Sequence, residues 1–221
     1  AYGANNVVVA DLNGDGNLDI VSTWAGYPNN AGSANSKKAV YRHINDGNAN
    51  PSFTTLAIRT GMPNLTSVFA ADMDGDGDAD VVTSQRNNES SLSLFKNNGV
   101  GAFAYSNIPT NSEVRDFRSV YPGDINGDGH MDFVVSLTSS PDGLMSGTYS
   151  YDIQLFENDG NSTPTWTYST IATSTNINMK LFVEDIDGDG DADVLSVDNT
   201  EPVSWYENGP NYSYTWDVDR G

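Results

Sequence analysis

Cysteine is absent from this 221-residue chain, so no disulfide framework holds it and thiol catalysis is excluded. Histidine occurs twice, at His43 and His130, which leaves little imidazole for acid–base chemistry. Basic residues are scarce too, with 10 Lys and Arg against 30 Asp and Glu and a net charge of −20. That balance offers no basic patch for nucleic acid and disfavours anionic membrane surfaces. No apolar run approaches the ~20 residues of a membrane-spanning helix. No stretch has helical periodicity. The chain begins at Ala1 without a leader of the secretory type and reads as a mature, trimmed or fragmentary chain whose targeting signal is not visible.

What is plentiful is Asn, Ser, Thr, Gly, Tyr and Val, a composition of strands and turns. The length suffices for one sizeable domain with a core. The acidity is concentrated. Four nine-residue stretches follow the pattern D-x-[ND]-G-D-G-x-x-D: Asp11–Asp19, Asp72–Asp80, Asp124–Asp132 and Asp185–Asp193. They hold sixteen of the aspartates. So many carboxylates within a few ångströms repel one another unless a cation neutralises them.

Oxygen-bearing side chains fall at positions 1, 3, 5 and 9, and glycines at 4 and 6, where a chain wrapping a small object needs tight turns. Calcium takes six to eight oxygens at roughly 2.3–2.6 Å. The four cages this predicts are Asp11, Asn13, Asp15, Asn17 and Asp19; Asp72, Asp74, Asp76, Asp78 and Asp80; Asp124, Asn126, Asp128, His130 and Asp132; and Asp185, Asp187, Asp189, Asp191 and Asp193. In each, position 7 contributes its backbone carbonyl, and water or a second carboxylate oxygen completes the shell. About four calcium ions would bring the charge from −20 to about −12. An EF-hand opens in a similar way but needs Glu at position 12, where this chain has Ser22, Thr83, Val135 and Ser196. The flanks, such as Val7–Ala10, Val68–Ala71 and Phe133–Val135, read as strands, so each loop joins two adjacent strands.

The loops start 61, 52 and 61 residues apart, a period that signals a solenoid, propeller or array. Each period holds four strand candidates, which in the second repeat are Ser67–Ala71, Asp80–Ser84, Ser91–Lys96 and Ala102–Ile108. Four strands is the content of a propeller blade. The expected fold is all-β: a β-propeller of four four-stranded blades at about 1–60, 61–113, 114–173 and 174–221, in one repeat domain. A second signature closes the third strand: Leu94–Asn97, Leu155–Asn158, Trp205–Asn208 and the degenerate Arg42–Asn45. A Gly-containing turn follows each, leading to a fourth strand that carries Phe53, Phe103, Trp166 or Tyr214. These rings are read as inter-blade core, with sugar stacking as the sharper alternative. Repeats one and three match each other, as do two and four, both at a shift of 113 residues. The chain therefore reads as a duplicated two-blade unit, A-B-A-B. The A repeats carry long insertions, Ala25–Ala39 and Thr138–Asp152.

The aspartate loops and the [LW]-[FY]-[EK]-N strand ends resemble the FG-GAP/VCBS-type repeats of integrin α chains, of some fungal lectins and of many secreted bacterial and algal proteins. The resemblance implies propeller blades with every calcium loop on one face. It also implies an extracellular or cell-surface setting, with adhesion, lectin-like recognition of a glycan or protein, or assembly with copies of itself as the role. Propellers of this family more often have seven or eight blades. The chain is accordingly expected to be half of a larger ring or part of a longer assembly, with a closed four-blade ring as the rival.

No catalytic constellation stands out. His130 sits at position 7 of a loop and His43 in a blade strand, while Glu157 and Glu207 occupy matching repeat positions, which suggests structure. A polysaccharide lyase or glycoside hydrolase on a propeller scaffold is the alternative, with Arg115, Arg118 and Tyr121 as its nearest approach to a cluster. A binding surface is expected on the long insertions, where Tyr27, Tyr149 and Tyr151 supply contact area. Four N-x-[ST] sequons, at Asn64, Asn88, Asn161 and Asn211, make glycosylation an expectation if the source has a eukaryotic secretory pathway.

Overall fold

A computed structural model describes residues 4–24, 38–86, 91–110, 114–140, 149–174, 178–198, 203–209 and 217–219. Among them there are sixteen strands and no helix. The strands form four four-stranded sheets, each an antiparallel meander in chain order. Blade one comprises β1 (Ala4–Ala10), β2 (Asp19–Trp24), β3 (Ala39–Asn45) and β4 (Phe53–Thr60). Blade two comprises β5 (Leu65–Ala71), β6 (Asp80–Gln85), β7 (Leu92–Asn97) and β8 (Phe103–Ile108). Blade three comprises β9 (Val114–Gly123), β10 (Asp132–Ser139), β11 (Ser150–Asn158) and β12 (Trp166–Ser174). Blade four comprises β13 (Asn178–Glu184), β14 (Asp193–Asp198), β15 (Ser204–Glu207) and β16 (Asp217–Asp219). These are propeller-type blades, and the all-β class expected from the repeats is the class observed.

Burial explains the residue choice along each blade. The second strands β6 and β10 are buried at every position, and both are rich in Val, Ser and Thr. Residues with β-branched or small side chains fit a strand covered on both faces. The fourth strand β4 is exposed at all but one position, and its Thr and Arg residues suit a solvated edge.

The chain divides into two compact units, Ala1–Ile108 and Pro109–Gly221. Each holds one A blade and one B blade. The core of the first gathers Leu12, Val21, Val40, Met62, Leu65, Val68, Val81 and Phe95. The core of the second gathers Ile125, Val134, Ile153, Leu155, Leu181, Val183, Val194 and Tyr206. Six of the eight members correspond between the two cores at the 113-residue shift: Leu12 with Ile125, Val21 with Val134, Val40 with Ile153, Val68 with Leu181, Val81 with Val194, and Phe95 with Tyr206 once a two-residue deletion is allowed for. The duplication is thus visible in packing as well as in sequence.

One reading of the chain changes in detail. Thr138 pairs with Tyr151 and Ser139 with Ser150, so the β10–β11 ladder continues into what reads as an insertion. Backbone groups there are satisfied by extending the sheet. Most of the insertions, 25–37 and 141–148, lie outside the described residues.

Candidate metal centre

Each loop is wound around its first aspartate. Asp11 accepts the amides of Gly14 at 2.9 Å and Gly16 at 2.8 Å through its two oxygens. Asp72 accepts those of Gly75, Asp76 and Gly77 at 2.8–3.1 Å. Asp124 accepts Asp128 and Gly129, and Asp185 accepts Gly188 and Gly190. Turning successive amides onto one carboxylate forces the glycines at positions 4 and 6 to positive φ, 71° to 101° across the four loops. That region is costly for any residue with a Cβ.

Position 2 anchors the loop. It is apolar in all four, and Leu12, Met73 and Ile125 are essentially fully buried. Leu12 and Ile125 belong to the cores shared by the A and B blades.

The ninth residue carries a role that loop spacing alone does not reveal. Asp19, Asp80, Asp132 and Asp193 are 0% exposed. Each accepts the position-2 amide through Oδ2, at 3.1 Å in all four loops. Each also accepts, through Oδ1, the amide of the asparagine that ends the third strand: Asn45, Asn97, Asn158 and Asn208, at 2.7–2.8 Å. The side-chain amide of that asparagine returns the contact by donating to the position-8 carbonyl of the same loop. In the B blades it reaches further. Asn97 Nδ2 donates to Leu12 O at 2.9 Å, and Asn208 Nδ2 to Ile125 O at 2.8 Å. The B-blade asparagine therefore ties its own loop to the loop of the A blade before it. The degenerate Arg42–Asn45 segment keeps the asparagine and with it the tie to Asp19.

A carboxylate oxygen has two lone pairs, so these hydrogen bonds leave acceptor capacity toward the loop interior. In blade two, oxygens of Asp72, Asp74 and Asp80 lie within 4.8 Å of one another; in blade four, those of Asp185, Asp187 and Asp193 do the same. A calcium ion about 2.4 Å from two opposed oxygens would place them about 4.8 Å apart. Asp74 supplies a further sign. Its carboxylate is buried and is paired with the Lys96 ammonium rather than with a loop amide. A buried carboxylate is strongly disfavoured without a cation beside it, and here the ammonium fills that role. Burial pushes the Asp80 carboxyl up to about 7, with Asp74 and Asp76 adding to it, and burial pushes Asp132 up to about 6. The donor set fits a hard, oxygen-seeking divalent cation.

In blades one and three, position 3 is asparagine. Asn13 and Asn126 donate to Asp15 and Asp128, both at 3.0 Å, so these loops carry neutral links where the B loops carry like charges. At position 7 three side chains reach the third turn of the blade, and Asn17 also donates to Asp15 at 2.9 Å within its loop. Asn17, Asp78 and His130 lie over Gly47, Gly99 and Gly160 of the third turn of their own blades. A Cβ on Gly99 would come within 2.5 Å of Asp78 Oδ2, and one on Gly160 would overlap the His130 imidazole. The turn glycine and the loop residue thus fit together, a pairing no local motif announces.

Some of the remaining candidates have structural partners, and the side chain of Arg115 lies outside the described residues. His43 bridges Ser22 and Thr55 at 2.8 Å each, and burial holds its pKa below the ordinary value. Arg118 contacts Thr138 at 3.3 Å and Asp116 at 3.5 Å, whereas Tyr121 packs on Phe182 and the second core. Trp166 packs on Phe133 of its own blade rather than between blades, and Phe103 packs on the first core. Phe53 is 42% exposed. Tyr149 is exposed and Tyr151 half-buried, while Tyr27, Tyr214, Asn88 and Asn211 lie outside the described residues. Asn161 is exposed and donates to Asp159 at 2.8 Å; Asn64 is half-buried with φ 56°.

The profile of the FG-GAP-like repeat matches residues 26–83 and 81–135. Both matches end three residues beyond an aspartate loop, at Asp80 and Asp132, so both follow the same structural frame. No curated protein matches the chain.

Proposed function

This chain carries FG-GAP-like repeats, and on that premise we propose that it is a secreted or cell-surface recognition module whose blades are held by calcium. The ligand is an extracellular glycan or protein, or further copies of the chain. The role is adhesion, lectin-like binding or assembly. One observation carries the calcium reading: the carboxylate triad Asp72, Asp74 and Asp80, gathered to within 4.8 Å around a buried Asp74 whose charge already draws a cation, the Lys96 ammonium. The recognition reading is supported by what the residues are used for. Among the described residues, His43 is bonded between strands of its blade, Arg118 bonds Thr138 and Tyr121 packs against the second core.

Thermal unfolding in calcium and in excess chelator tests the metal. At a calcium level ten times Kd, each site adds about 1.4 kcal/mol. Four such sites, at ~2–4 °C per kcal/mol for a chain of this size, raise Tm by about ten degrees or more. Identical melting curves in calcium and chelator would refute a structural ion. Recognition is tested with immobilised acidic and neutral polysaccharides, where saturable calcium-dependent binding without turnover is expected. Turnover of any of them would replace this reading with an enzymatic one.

A further inference from the structure

The loops of blades two and four have the same residues at eight of nine positions, differing only at Met73 and Ile186. Their surroundings differ in charge beside the strand-ending asparagine. The residue before the strand-ending asparagine is Lys96 in blade two and Glu207 in blade four. The two are in the same register, since Asn97 and Asn208 make the same bond to the ninth aspartate. With that residue included, the formal charge of the loop is −4 in blade two and −6 in blade four.

The structure shows what the lysine does. Its ammonium forms an ion pair with Asp74 and lies 3.9 Å from Asp76. In the other three loops the position-3 oxygen accepts the position-5 amide: Asn13 from Asp15, Asn126 from Asp128, and Asp187 from Asp189, at 3.0–3.2 Å. Asp74 does not make this bond. Its carboxylate is instead completely buried beside the ammonium, while the lysine side chain stays 35% exposed. A long, flexible stem lets the ammonium enter the loop or swing out to water.

We propose that Lys96 is a tethered cation that competes with calcium for the blade-two loop, so that two loops of nearly identical sequence bind the ion unequally. Calcium must displace the ammonium from Asp74 and then tolerate it nearby, whereas in blade four the residue in the same register is acidic and offers no competing cation. The blade-two loop is therefore partly neutralised without metal and binds calcium at least about tenfold more weakly than the blade-four loop. The chain would hold its A-B pair together in blade two when calcium is low, and bind there only when calcium is high.

This inference rests on the calcium reading, and the test separates the two. Calcium titration calorimetry and melting curves are recorded for the wild type, Lys96→Met and Glu207→Lys. Lys96→Met keeps the apolar stem and removes the charge. It should tighten the weakest sites about tenfold, lower Tm in chelator and raise it in saturating calcium. Glu207→Lys should weaken one site by a comparable factor, which keeps the test open if Lys96→Met folds poorly. Calcium binding unchanged in both variants overturns the competition and leaves the calcium reading intact. Absence of calcium binding in all three proteins overturns both.

Discussion

At the scale of single residues, the acidic side chains divide into groups that titrate in opposite directions. Asp46 accepts three hydrogen bonds and Asp159 four in the third turn of an A blade, chiefly from Ser52 and Thr165, which hold their carboxyls below the ordinary range. Asp80 and Asp132 go the other way, up to about 7 and about 6, because burial penalises their charge. For a carboxyl raised in the folded state, the native protein binds more protons than the unfolded chain between the two pKa values. Stability then falls as pH rises through that window. In chelator, the free energy of unfolding by urea should therefore decline from about pH 4 to about pH 7. The depressed Asp46 and Asp159 act below that window, removing stability as pH falls below the ordinary carboxylate range. Saturating calcium should flatten the upper decline, since the ion favours the charged carboxylates. A metal-free stability that rises steadily from pH 4 to pH 7 would contradict the assignment. The sequence made positions 1, 3, 5 and 9 legible as oxygen donors. It did not reveal that the ninth aspartate also binds two backbone amides, because one of those comes from a strand 15 to 26 residues later.

At the scale of the element, the nine-residue loop and the third turn of its blade form one device. The asparagine that ends the third strand ties the ninth aspartate, and the turn glycine beyond it makes room for the position-7 side chain. Gly160 is the sharpest case, with φ +68° and the His130 imidazole lying against it. Gly160→Ala should cost about 1–2 kcal/mol, part from backbone strain and part from displacing the imidazole. Adding His130→Ala should recover the steric part and leave the strain, a non-additivity readable in a double-mutant cycle by urea unfolding. Strict additivity would show that the two do not meet. Strand positions were readable because alternating Val, Phe and Thr runs flank glycine-rich turns. In the second repeat, β5 to β8 start and end within two residues of the expected limits. Loop ends were harder to place: Ser139 and Ser150 extend a ladder through residues whose composition suggests a loop.

At the scale of the whole chain, the duplicated pair is the unit of construction. Asn97 and Asn208 bond to the preceding A-blade loop, and Leu12 and Ile125 insert into the core shared with the B blade. The metal loop is thereby part of the seam that makes two sheets one compact unit. Calcium would stiffen this seam at the point where acidic repulsion otherwise opposes it, which links ion binding to blade cohesion. The 113-residue shift made the pairing legible, because equal spacing implied equal structure. The inter-blade asparagine bonds span 83 and 85 residues and needed coordinates.

The central claim is that the four aspartate loops are ion cages, and counting the ions tests it most directly. Equilibrium dialysis of the chain against several millimolar calcium, followed by elemental analysis, should find close to four calcium ions per chain. Replacing Asp185 and Asp193 together with Asn should remove one. A count indistinguishable from zero, or one unchanged by that double substitution, would contradict the account.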